Sequence, residues 1–286
     1  MAFPSNMTAD SALIQVDLER RFGGLARLYG AAGATRIRAA HIVVVGLGGV
    51  GSWAAEAIAR SGVARLTLID FDHIAESNIN RQVHALDTSL GQAKVQAMRE
   101  RIAHINPDCE VSCVEEFVDT ANWPQILALD SGFDRKRFAV IDACDQVRAK
   151  TAMGAWAIKN KAMLVSVGAA GGKRLAHRVD IDDLSLVTHD PLLAQLRYRL
   201  RKEQGAARQG KIGVTCVFSR EPVQQPSTGS AVTQQDKVSK EPADELTAVL
   251  GQTDGTLNCH GYGSVVSVTS TFGMCAAGWV FDQIAG

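Results

Sequence analysis

One glycine-rich turn constrains the fold of this chain more than any other feature of its sequence. It lies in HIVVVGLGGVGSWAAEAIARSGVARLTLIDFD, residues 41–72, where Gly46, Gly48 and Gly51 form the pattern G-x-G-x-x-G. A β-branched run precedes these glycines and a run of helical composition follows them, which is typical of a nucleotide-binding turn. Such glycines let the backbone approach phosphates, whose charge the N-terminus of the next helix attracts. The pattern therefore predicts a strand, a phosphate-binding turn and a helix.

Strand-like and helix-like segments alternate from this turn through residue 172, and residues 87–107 resemble one helix. Such alternation predicts a parallel sheet with right-handed crossovers. We therefore expect an α/β fold with a Rossmann-like, mainly parallel sheet, helices on both faces and an irregular C-terminal extension. Ligands of such sheets lie outside the carboxyl ends of the strands. The glycine turn and the acidic residues at 70–72 and 142–145 are expected at those ends.

The 286 residues allow one large domain or two small ones. We predict a nucleotide-binding core with an N-terminal helical lead-in over residues 1–178, and a C-terminal part of the same domain over residues 179–286. The second part should contain a basic helix capped by Asp190 and an apolar C-terminal helix. Residues 219–256 between them are rich in Gln, Ser, Thr and Pro, which predicts a long loop.

Composition and cysteine spacing favour a cytoplasmic protein. The chain has 30 Lys and Arg against 30 Asp and Glu, so a nucleic-acid surface would have to be a local patch. Six cysteines include no C-x-x-C pair, which indicates neither a zinc site nor a disulfide framework. The start of the chain lacks the pattern of a signal peptide. Residues 264–281 carry no charge but only approach the length of a membrane span, so a buried or interface helix is favoured over peripheral membrane association.

Polar residues after the strands decide which nucleotide is expected. Asp70 ends the second strand, where an acidic residue can bind ribose hydroxyls. The glycine turn alone would suit a dinucleotide-dependent oxidoreductase. A triphosphate carries more charge and calls for Arg and Lys, which Arg81 and Lys94 supply. The carboxylates of Asp142 and Asp145 suit a magnesium ion.

Each of these residues also has a simpler interpretation. Arg81 and Lys94 could be surface charges, and Asp145 could cap the following helix. Together, at the ends of three consecutive strands, they favour a triphosphate site.

Several motifs resemble the ubiquitin-activating-enzyme-like superfamily, whose members adenylate carboxylates with ATP and magnesium. The motifs are GLGGVGS, DFDHIAESNINRQ and DACDQVRAK, together with Lys94, within residues 20–175. A closer similarity, through RRFGGLARLYG, NRQVHAL, INPDC, DPLLAQLR and KIGVTCVFS, is to the family of bacterial tRNA threonylcarbamoyladenosine dehydratases. It extends over nearly the whole chain.

The resemblance implies roles for individual residues. Residues 1–178 would be an ATP-binding adenylation core, with Asp70 at the ribose and Asp145, or more weakly Asp142, at the magnesium ion. Relatives place an N-terminal arginine in the partner subunit's ATP site, for which Arg21 and Arg27 are the candidates here. The expected catalytic residues are Arg81, Lys94 and Asp145. The expected ATP-binding residues are Gly46, Gly48, Gly49, Gly51, Asp70, Asp72, Asn80, Arg81 and Lys94.

The resemblance also implies a reaction and partners. The substrate would be the carboxylate of a threonylcarbamoyl group on a tRNA adenosine, which ATP converts to an acyl adenylate before ring closure. A basic cluster that could bind the tRNA backbone is Arg197, Arg199, Arg201, Lys202, Arg208 and Lys211; a solvated helix face is the simpler alternative. Members of the superfamily form homodimers, and this family is linked to a cysteine desulfurase with a sulfur-acceptor protein.

Two further alternatives stay open. The first is adenylation of the C-terminus of a ubiquitin-like sulfur-carrier protein, although such relatives often carry two C-x-x-C pairs and a catalytic cysteine. Cys216 lies in an apparent strand and is expected to be buried, whereas Cys259 lies in a predicted loop. The second is a non-catalytic scaffold for sulfur transfer.

Overall fold

A computed structural model describes residues 17–127, 134–224 and 262–286. Within these ranges, seven strands form one sheet in the order β3-β2-β1-β4-β5-β7-β6. Neighbouring strands are parallel except for the antiparallel pair of β6 and β7. The predicted Rossmann-like, mainly parallel sheet is thus confirmed. The strands are β1 (His41–Val45), β2 (Arg65–Ile69), β3 (Glu110–Val114), β4 (Phe138–Asp142), β5 (Met163–Val167), β6 (Val179–Asp183) and β7 (Thr215–Ser219).

The strand order creates a crevice beside β1. From β1 the chain builds the sheet through β2 to β3, and then returns to place β4 on the other side of β1. Val45, the last residue of β1, pairs in register with Asp142, the last residue of β4. The turns that follow these two strands are therefore neighbours, although about a hundred residues separate them in the chain. Open α/β sheets bind ligands at such a point of reversal.

Helices cover both faces of the sheet. On one face α2, α3, α4 and α7 pack over the first large apolar cluster, which contains Ile42 and Phe272. On the other face α5 and α6 pack over the second cluster, which contains Val43 and Phe218. The helices are α1 (Leu18–Phe22), α2 (Gly24–Arg38), α3 (Gly51–Arg60), α4 (Lys94–Ile105), α5 (Val147–Asn160), α6 (Pro191–Glu203) and α7 (Val266–Ala285).

The uncharged C-terminal segment is the helix α7, and it packs against α3 and α2. Val268, Phe272 and Val280 are fully buried in the first apolar cluster, which explains why this segment carries so few charges. No helix in the described ranges is long and apolar enough to cross a membrane. The long loop predicted over residues 219–256, and Cys259 after it, lie almost entirely outside the described residues. Cys216 is fully buried in β7, as expected.

The single helix expected over residues 87–107 is wrong, because the chain turns before the helix begins. Residues Asp87–Ser89 form a short 3-10 helix, and Gly91 then adopts a φ of 80°. A positive φ ends helical geometry, and glycine adopts it without steric strain. As a result α4 begins at Lys94, which places this lysine at the end of the helix nearest the glycine turn.

The buried imidazole of His84 should make stability depend on pH. His84 is 3% exposed, and burial, with Lys94 and Arg101, lowers its pKa from 6.5 to about 4. Below about pH 6.5 the imidazole of His84 is protonated in the unfolded chain but stays neutral in the folded protein, so protonation stabilises the unfolded state. The contribution of His84 is therefore fully present above pH 6.5 and is lost as the pH falls towards 4. The expected loss is roughly 2–3 kcal/mol.

Urea unfolding of the wild type and of His84→Phe at several pH values measures this effect. The wild type should lose roughly 2–3 kcal/mol relative to the variant between about pH 7.5 and pH 4.5. Parallel stability curves for the two proteins would show that His84 titrates normally in the folded state.

Candidate functional site

A cavity of about 550 Å³ opens at the carboxyl ends of β1, β2 and β4, and we call it the nucleotide cavity. Its wall combines the glycine turn, the residues after β2, the start of α4 and the turn after β4. Most of the residues predicted within the chain's own ATP and magnesium site meet here, and Gly51, Asn80 and Asp142 are the exceptions. The predicted residues that line it are Gly46, Gly48, Gly49, Asp70, Asp72, Arg81, Lys94 and Asp145.

Two glycines of the turn are required by close backbone contacts. A Cβ atom on Gly46 would lie 2.9 Å from the backbone nitrogen of Cys144, and its φ of 85° is itself unfavourable for other residues. A Cβ on Gly51 would lie 1.8 Å from the carbonyl oxygen of Gly46. Gly51 therefore shapes the turn without lining the cavity. A Cβ on Gly48 would meet nothing within 4 Å, so this glycine leaves open space. The helix α3 starts here without a side-chain cap, which suits an anion.

Lys94 lies between two carboxylates in the wall of the cavity. Its Nζ is 2.7 Å from Oδ2 of Asp72 and 3.9 Å from Oδ1 of Asp70, and the lysine side chain is only 6% exposed. The other oxygen of Asp70 accepts a hydrogen bond from the backbone N–H of Leu47. Burial raises the pKa of Asp70, while Lys94 and the Leu47 N–H oppose that rise. The arrangement places one buried cation next to the glycine turn.

Arg81 also lines the cavity, and its neighbours hold it in place. Its Nη1 donates to the carbonyl oxygen of Ser77 and, at 2.9 Å, to Oδ1 of Asn80. Trp53 donates a 3.0 Å hydrogen bond to the Arg81 carbonyl. Asn80 itself does not line the cavity, because its Nδ2 donates to the carbonyl of Ser264 at 3.1 Å. Asn80 thus links Arg81 to the segment before α7.

Asp142 is buried beneath the cavity instead of lining it. It is fully buried, and its Oδ1 is 3.1 Å from Nζ of Lys150. Its Oδ2 accepts a 2.6 Å hydrogen bond from the Ser166 hydroxyl, and Cys144 Sγ lies 3.0 Å from Oδ1. Both oxygens therefore have partners within the protein, which removes Asp142 from the residues that we assign to a metal ion.

Asp145, three residues further on, does face the cavity. Burial raises the pKa of Asp145, and the nearby carboxylate of Asp72 adds to that rise. Asp145 does not cap the next helix, because Gln146 occupies the N-cap of α5. No cluster of three His, Cys, Asp or Glu side chains that could hold a metal exists in the described residues. The carboxylates of Asp72 and Asp145 in the cavity wall nevertheless fit Mg²⁺, which usually takes one or two carboxylates when phosphates supply further ligands.

The structure adds an aromatic pair that the sequence reasoning missed. Phe71 follows β2 and Phe117 follows β3, and their ring centroids lie 4.7 Å apart with an interplanar angle of 32°. Both line the nucleotide cavity, and they are 53% and 52% exposed. Exposed large aromatic side chains beside a cavity suit a flat ligand. The signal for Phe71 was its position between Asp70 and Asp72, but nothing in the sequence connected it with Phe117.

The predicted basic residues of the C-terminal part, which we call the α6 cluster, are in different environments. Arg197 donates to the carbonyls of Leu184 and Val187 at 3.0 and 2.9 Å, which gives it a structural role. The others belong to the exposed end of α6 and the loop after it. Arg199 pairs with Glu203, Arg201 donates to the Ala207 carbonyl, Lys202 lies over the Tyr198 ring, and Arg208 and Lys211 are exposed without an ion pair to a described residue.

The two N-terminal arginine candidates lie outside the nucleotide cavity of their own chain. Nη1 of Arg21 donates a 2.8 Å hydrogen bond to the carbonyl of Ile105, at the end of α4. Arg27 is exposed on α2.

Comparison with known proteins identifies the family. A model of the ThiF family matches residues 21–227, and the chain belongs to this family. It is 40% identical to the tRNA threonylcarbamoyladenosine dehydratase of Escherichia coli over 269 residues, which are 93% of this chain and 94% of the relative. The structure of an E. coli tRNA N6-threonylcarbamoyladenosine dehydratase in complex with ATP has 39% identity and a TM-score of 0.76, covering 93% of this chain and 94% of that chain. The molybdopterin-synthase adenylyltransferase of E. coli is 33% identical over 138 residues, 48% of this chain and 52% of the relative. The resemblance drawn from the motifs is confirmed.

Proposed function

We propose that this protein is an ATP-dependent enzyme that dehydrates threonylcarbamoyladenosine in tRNA through an acyl adenylate. One observation carries the proposal: Lys94, Arg81 and Asp145 share a cavity with the glycine turn in a chain that matches a dehydratase over 93% of its length. In the shorter match, the adenylyltransferase corresponds to only 48% of the chain.

In this proposal ATP lies across the carboxyl ends of β1 and β2. The backbone of Gly46, Gly48 and Gly49 borders the phosphates at the start of α3, and Gly51 keeps the turn tight. Asp70 accepts hydrogen bonds from the ribose, and Asp72 holds Lys94 in position. Arg81 and Lys94 supply positive charge at the phosphates, with Asn80 orienting Arg81.

Asp145, together with Asp72, would hold Mg²⁺, which would neutralise part of the phosphate charge when bound. Asp145 therefore remains the assigned metal ligand, and Asp142 takes a structural role through Lys150 and Ser166.

The chemistry begins with a carboxylate, which is a poor electrophile because its leaving group would be oxide. One carboxylate oxygen of the substrate attacks the α-phosphorus of ATP, and the bond to pyrophosphate breaks. Lys94 and Arg81 stabilise the negative charge that develops on the phosphate oxygens. The neighbouring carbamoyl group then attacks the activated carbonyl, AMP leaves, and a ring closes with the net loss of water. Because the second step is intramolecular, it needs little more than correct positioning, and no cysteine nucleophile is required.

The aromatic pair is the proposed contact for the adenine ring of ATP. We expect Phe117→Ala to raise the KM for ATP about three- to tenfold with a smaller change in kcat, because a stacked ring contributes roughly 1 kcal/mol. Steady-state kinetics with varied ATP measure this. A matched control is Leu186→Ala, which removes a similarly exposed apolar side chain far from the cavity along the chain. Equal KM values for Phe117→Ala and the wild type would rule out the stacking role.

Arg208 and Lys211, the members of the α6 cluster in the loop after α6, are the proposed tRNA contact. Reversing charge in the double variant Arg208→Glu/Lys211→Glu should weaken tRNA binding about tenfold or more at low salt and leave ATP binding unchanged, since lysine and arginine neutralise backbone phosphates. Filter binding at several salt concentrations measures the affinity and its salt dependence. Replacing Lys161, an exposed lysine on another helix end, with Glu is the control. Equal losses of tRNA and ATP binding would instead indicate damage to the fold.

The decisive assay uses tRNA that carries threonylcarbamoyladenosine. After incubation with the protein and ATP-magnesium, the tRNA is digested and the masses of its nucleosides are measured by mass spectrometry. Loss of one water that depends on ATP, with AMP formed, is the expected result. No mass change, with pyrophosphate exchange stimulated by a sulfur-carrier protein, would favour the adenylyltransferase alternative. Binding of a dinucleotide in preference to ATP would favour an oxidoreductase. Full cellular function of a Lys94→Ala variant would favour a non-catalytic scaffold.

The wider setting follows from the same resemblance. We propose a cytoplasmic homodimer in which Arg21 or Arg27 reaches the ATP site of the partner subunit. A cysteine desulfurase with its sulfur acceptor is the proposed protein partner. Sedimentation at several concentrations tests the dimer, and co-purification of the tagged full chain tests the desulfurase.

A further inference from the structure

A second cavity, larger than the nucleotide cavity, lies on the face of the sheet that carries α3 and α4. Its volume is about 730 Å³, and we call it the basic cleft. It lies between α1, the end of α3, the loop before α4 and the outer side of α4. Ligand pockets in proteins span about 300–1,000 Å³, so this one is large enough for more than an ion. None of the residues that line the nucleotide cavity contributes to it.

Three arginines from three different helices line the basic cleft: Arg21, Arg60 and Arg101. Arg60 and Arg101 both pair with the buried carboxylate of Glu56, at 2.8 and 2.7 Å. These bonds occupy part of each guanidinium group, and the two side chains remain 59% and 33% exposed. Glu56 therefore acts as a shared anchor that holds two arginines side by side. Arginines held in this way can donate paired hydrogen bonds to a planar or tetrahedral anion.

The other lining groups add one exposed hydroxyl and little negative charge. Thr88 contributes that hydroxyl, whereas the Ser89 hydroxyl donates to the His84 carbonyl at 2.7 Å, and Glu100 is the one acidic side chain among the described lining residues. Glu100 accepts a 2.8 Å hydrogen bond from Gln92. His84 lines the same cleft, is 3% exposed, and has no hydrogen-bond partner for either ring nitrogen among the described residues. Buried polar groups normally have partners, so an unpartnered one in a cavity wall indicates a missing ligand or water.

The cleft is close enough to the nucleotide cavity to serve a single extended ligand. Lys94 in one cavity and Arg101 in the other are on α4, seven residues apart, which is about 10 Å along a helix. His84 follows Arg81 by three residues along the loop between the two cavities. A ligand with several phosphates could therefore place its reacting group at Lys94 and one of its phosphates at Arg101.

We propose that the basic cleft binds a phosphate group, and that the RNA backbone presents it. The RNA part of the proposal rests on the proposed function, whereas the phosphate site itself does not. The chemistry is that of the Arg60 and Arg101 guanidinium groups, held together by Glu56, with the exposed Thr88 hydroxyl in the same lining. Free inorganic phosphate offers the same chemistry and is the alternative source.

The test uses pairs of variants that differ by as little as possible. Thr88 is exposed at the cleft, so Thr88→Glu places a negative charge there, and Thr88→Gln is its uncharged control of equal length. Arg60→Gln removes a lining cation and leaves Arg101 paired with Glu56, and Arg65→Gln removes an exposed arginine that does not line the cleft. Each full-length protein is titrated against an anticodon stem-loop RNA by fluorescence anisotropy at several salt concentrations. It is also titrated against inorganic phosphate by calorimetry, with a non-hydrolysable ATP analogue filling the nucleotide cavity.

We expect Thr88→Glu and Arg60→Gln to weaken RNA binding about three- to tenfold and to lower the salt dependence by about one counterion. Both controls should stay within about twofold of the wild type, and ATP affinity should not change. Loss of phosphate binding with unchanged RNA binding would retain the site and overturn RNA as its source. Unchanged binding of both probes would overturn the site, as would a parallel loss of ATP affinity.

The wild type separates this inference from the proposed function. A wild type that dehydrates tRNA, with variants that bind both probes normally, would leave the function standing and reject the cleft. If the wild type lacks dehydratase activity but Thr88→Glu weakens its phosphate binding, the cleft stands as a phosphate site and the proposed function is rejected.

Discussion

Lys94→Met is expected to lower the rate of tRNA dehydration about 100- to 1,000-fold, because removing one preorganised charge from a water-excluded site typically costs that much. Nζ of Lys94 is 2.7 Å from Asp72 and 3.9 Å from Asp70, and the side chain is 6% exposed. Methionine keeps most of the apolar part of the side chain and removes its charged ammonium group.

The measurement is the initial rate of AMP formation with modified tRNA and saturating ATP-magnesium. The KM for ATP should rise less than kcat falls, because the charge that Lys94 stabilises develops mainly in the transition state. Arg99→Met is the matched control, since it removes an exposed cation from the same helix, and it should stay within about twofold of the wild type. A Lys94→Met enzyme within about threefold of the wild type would remove Lys94 from the catalytic residues.

Lys150→Met should destabilise the fold by about 3–5 kcal/mol, because it leaves the carboxylate of Asp142 buried without a counter-charge. The two side chains are fully buried, and Nζ of Lys150 also donates to the Val167 carbonyl at 2.7 Å. Burial lowers the pKa of Lys150, but Asp142 and Cys144 outweigh that effect, so the pKa is raised overall. The lysine therefore remains charged in the folded protein at neutral pH.

Urea unfolding of the single variants and of Lys150→Met/Asp142→Leu measures the coupling between the two residues. The double variant should recover much of the loss, because two apolar groups leave no charge unpaired. Lys159→Met, an exposed lysine of the same helix, should change stability by less than about 0.5 kcal/mol. If the double variant is less stable than both single variants, the ion pair is not what determines their loss.

The core of the fold could be predicted because its signals are local. A β-branched run, a glycine turn and a helical run are adjacent along the chain. Glycine is needed at 46 and 51 because a Cβ atom would come too close to the backbone of Cys144, after the neighbouring strand β4, and of Gly46, respectively. The Asp190–Pro191 start of α6 was equally readable, since the cap accepts a hydrogen bond from Leu193 three residues away. The pairing of β6 with β7 in the same sheet was not specified by any such signal.

The candidate site was predicted in its residue types but not in its geometry. Asp142 and Asp145 are chemically equivalent in the sequence, yet one is enclosed by Lys150 and Ser166 and the other lines the cavity. Their difference depends on which elements pack below β4, and the partner Ser166 is contributed by the neighbouring strand β5. The family resemblance placed Asn80 among the ATP-binding residues, but its amide donates to the carbonyl of Ser264, near the far end of the chain.

Sequence alone determined the glycine turn, the alternation that builds a parallel sheet, and the acidic and basic residues that follow the strands, because hydrogen bonding and side-chain burial repeat over short distances in the chain. Tertiary structure decided which of those charges face a cavity, brought Phe71 to Phe117, and gathered Arg21, Arg60 and Arg101 around one cleft. Those groupings join residues from separate strands and helices. Their spacing depends on how the packed layers exclude water and leave particular side chains at the edges, which no local pattern encodes.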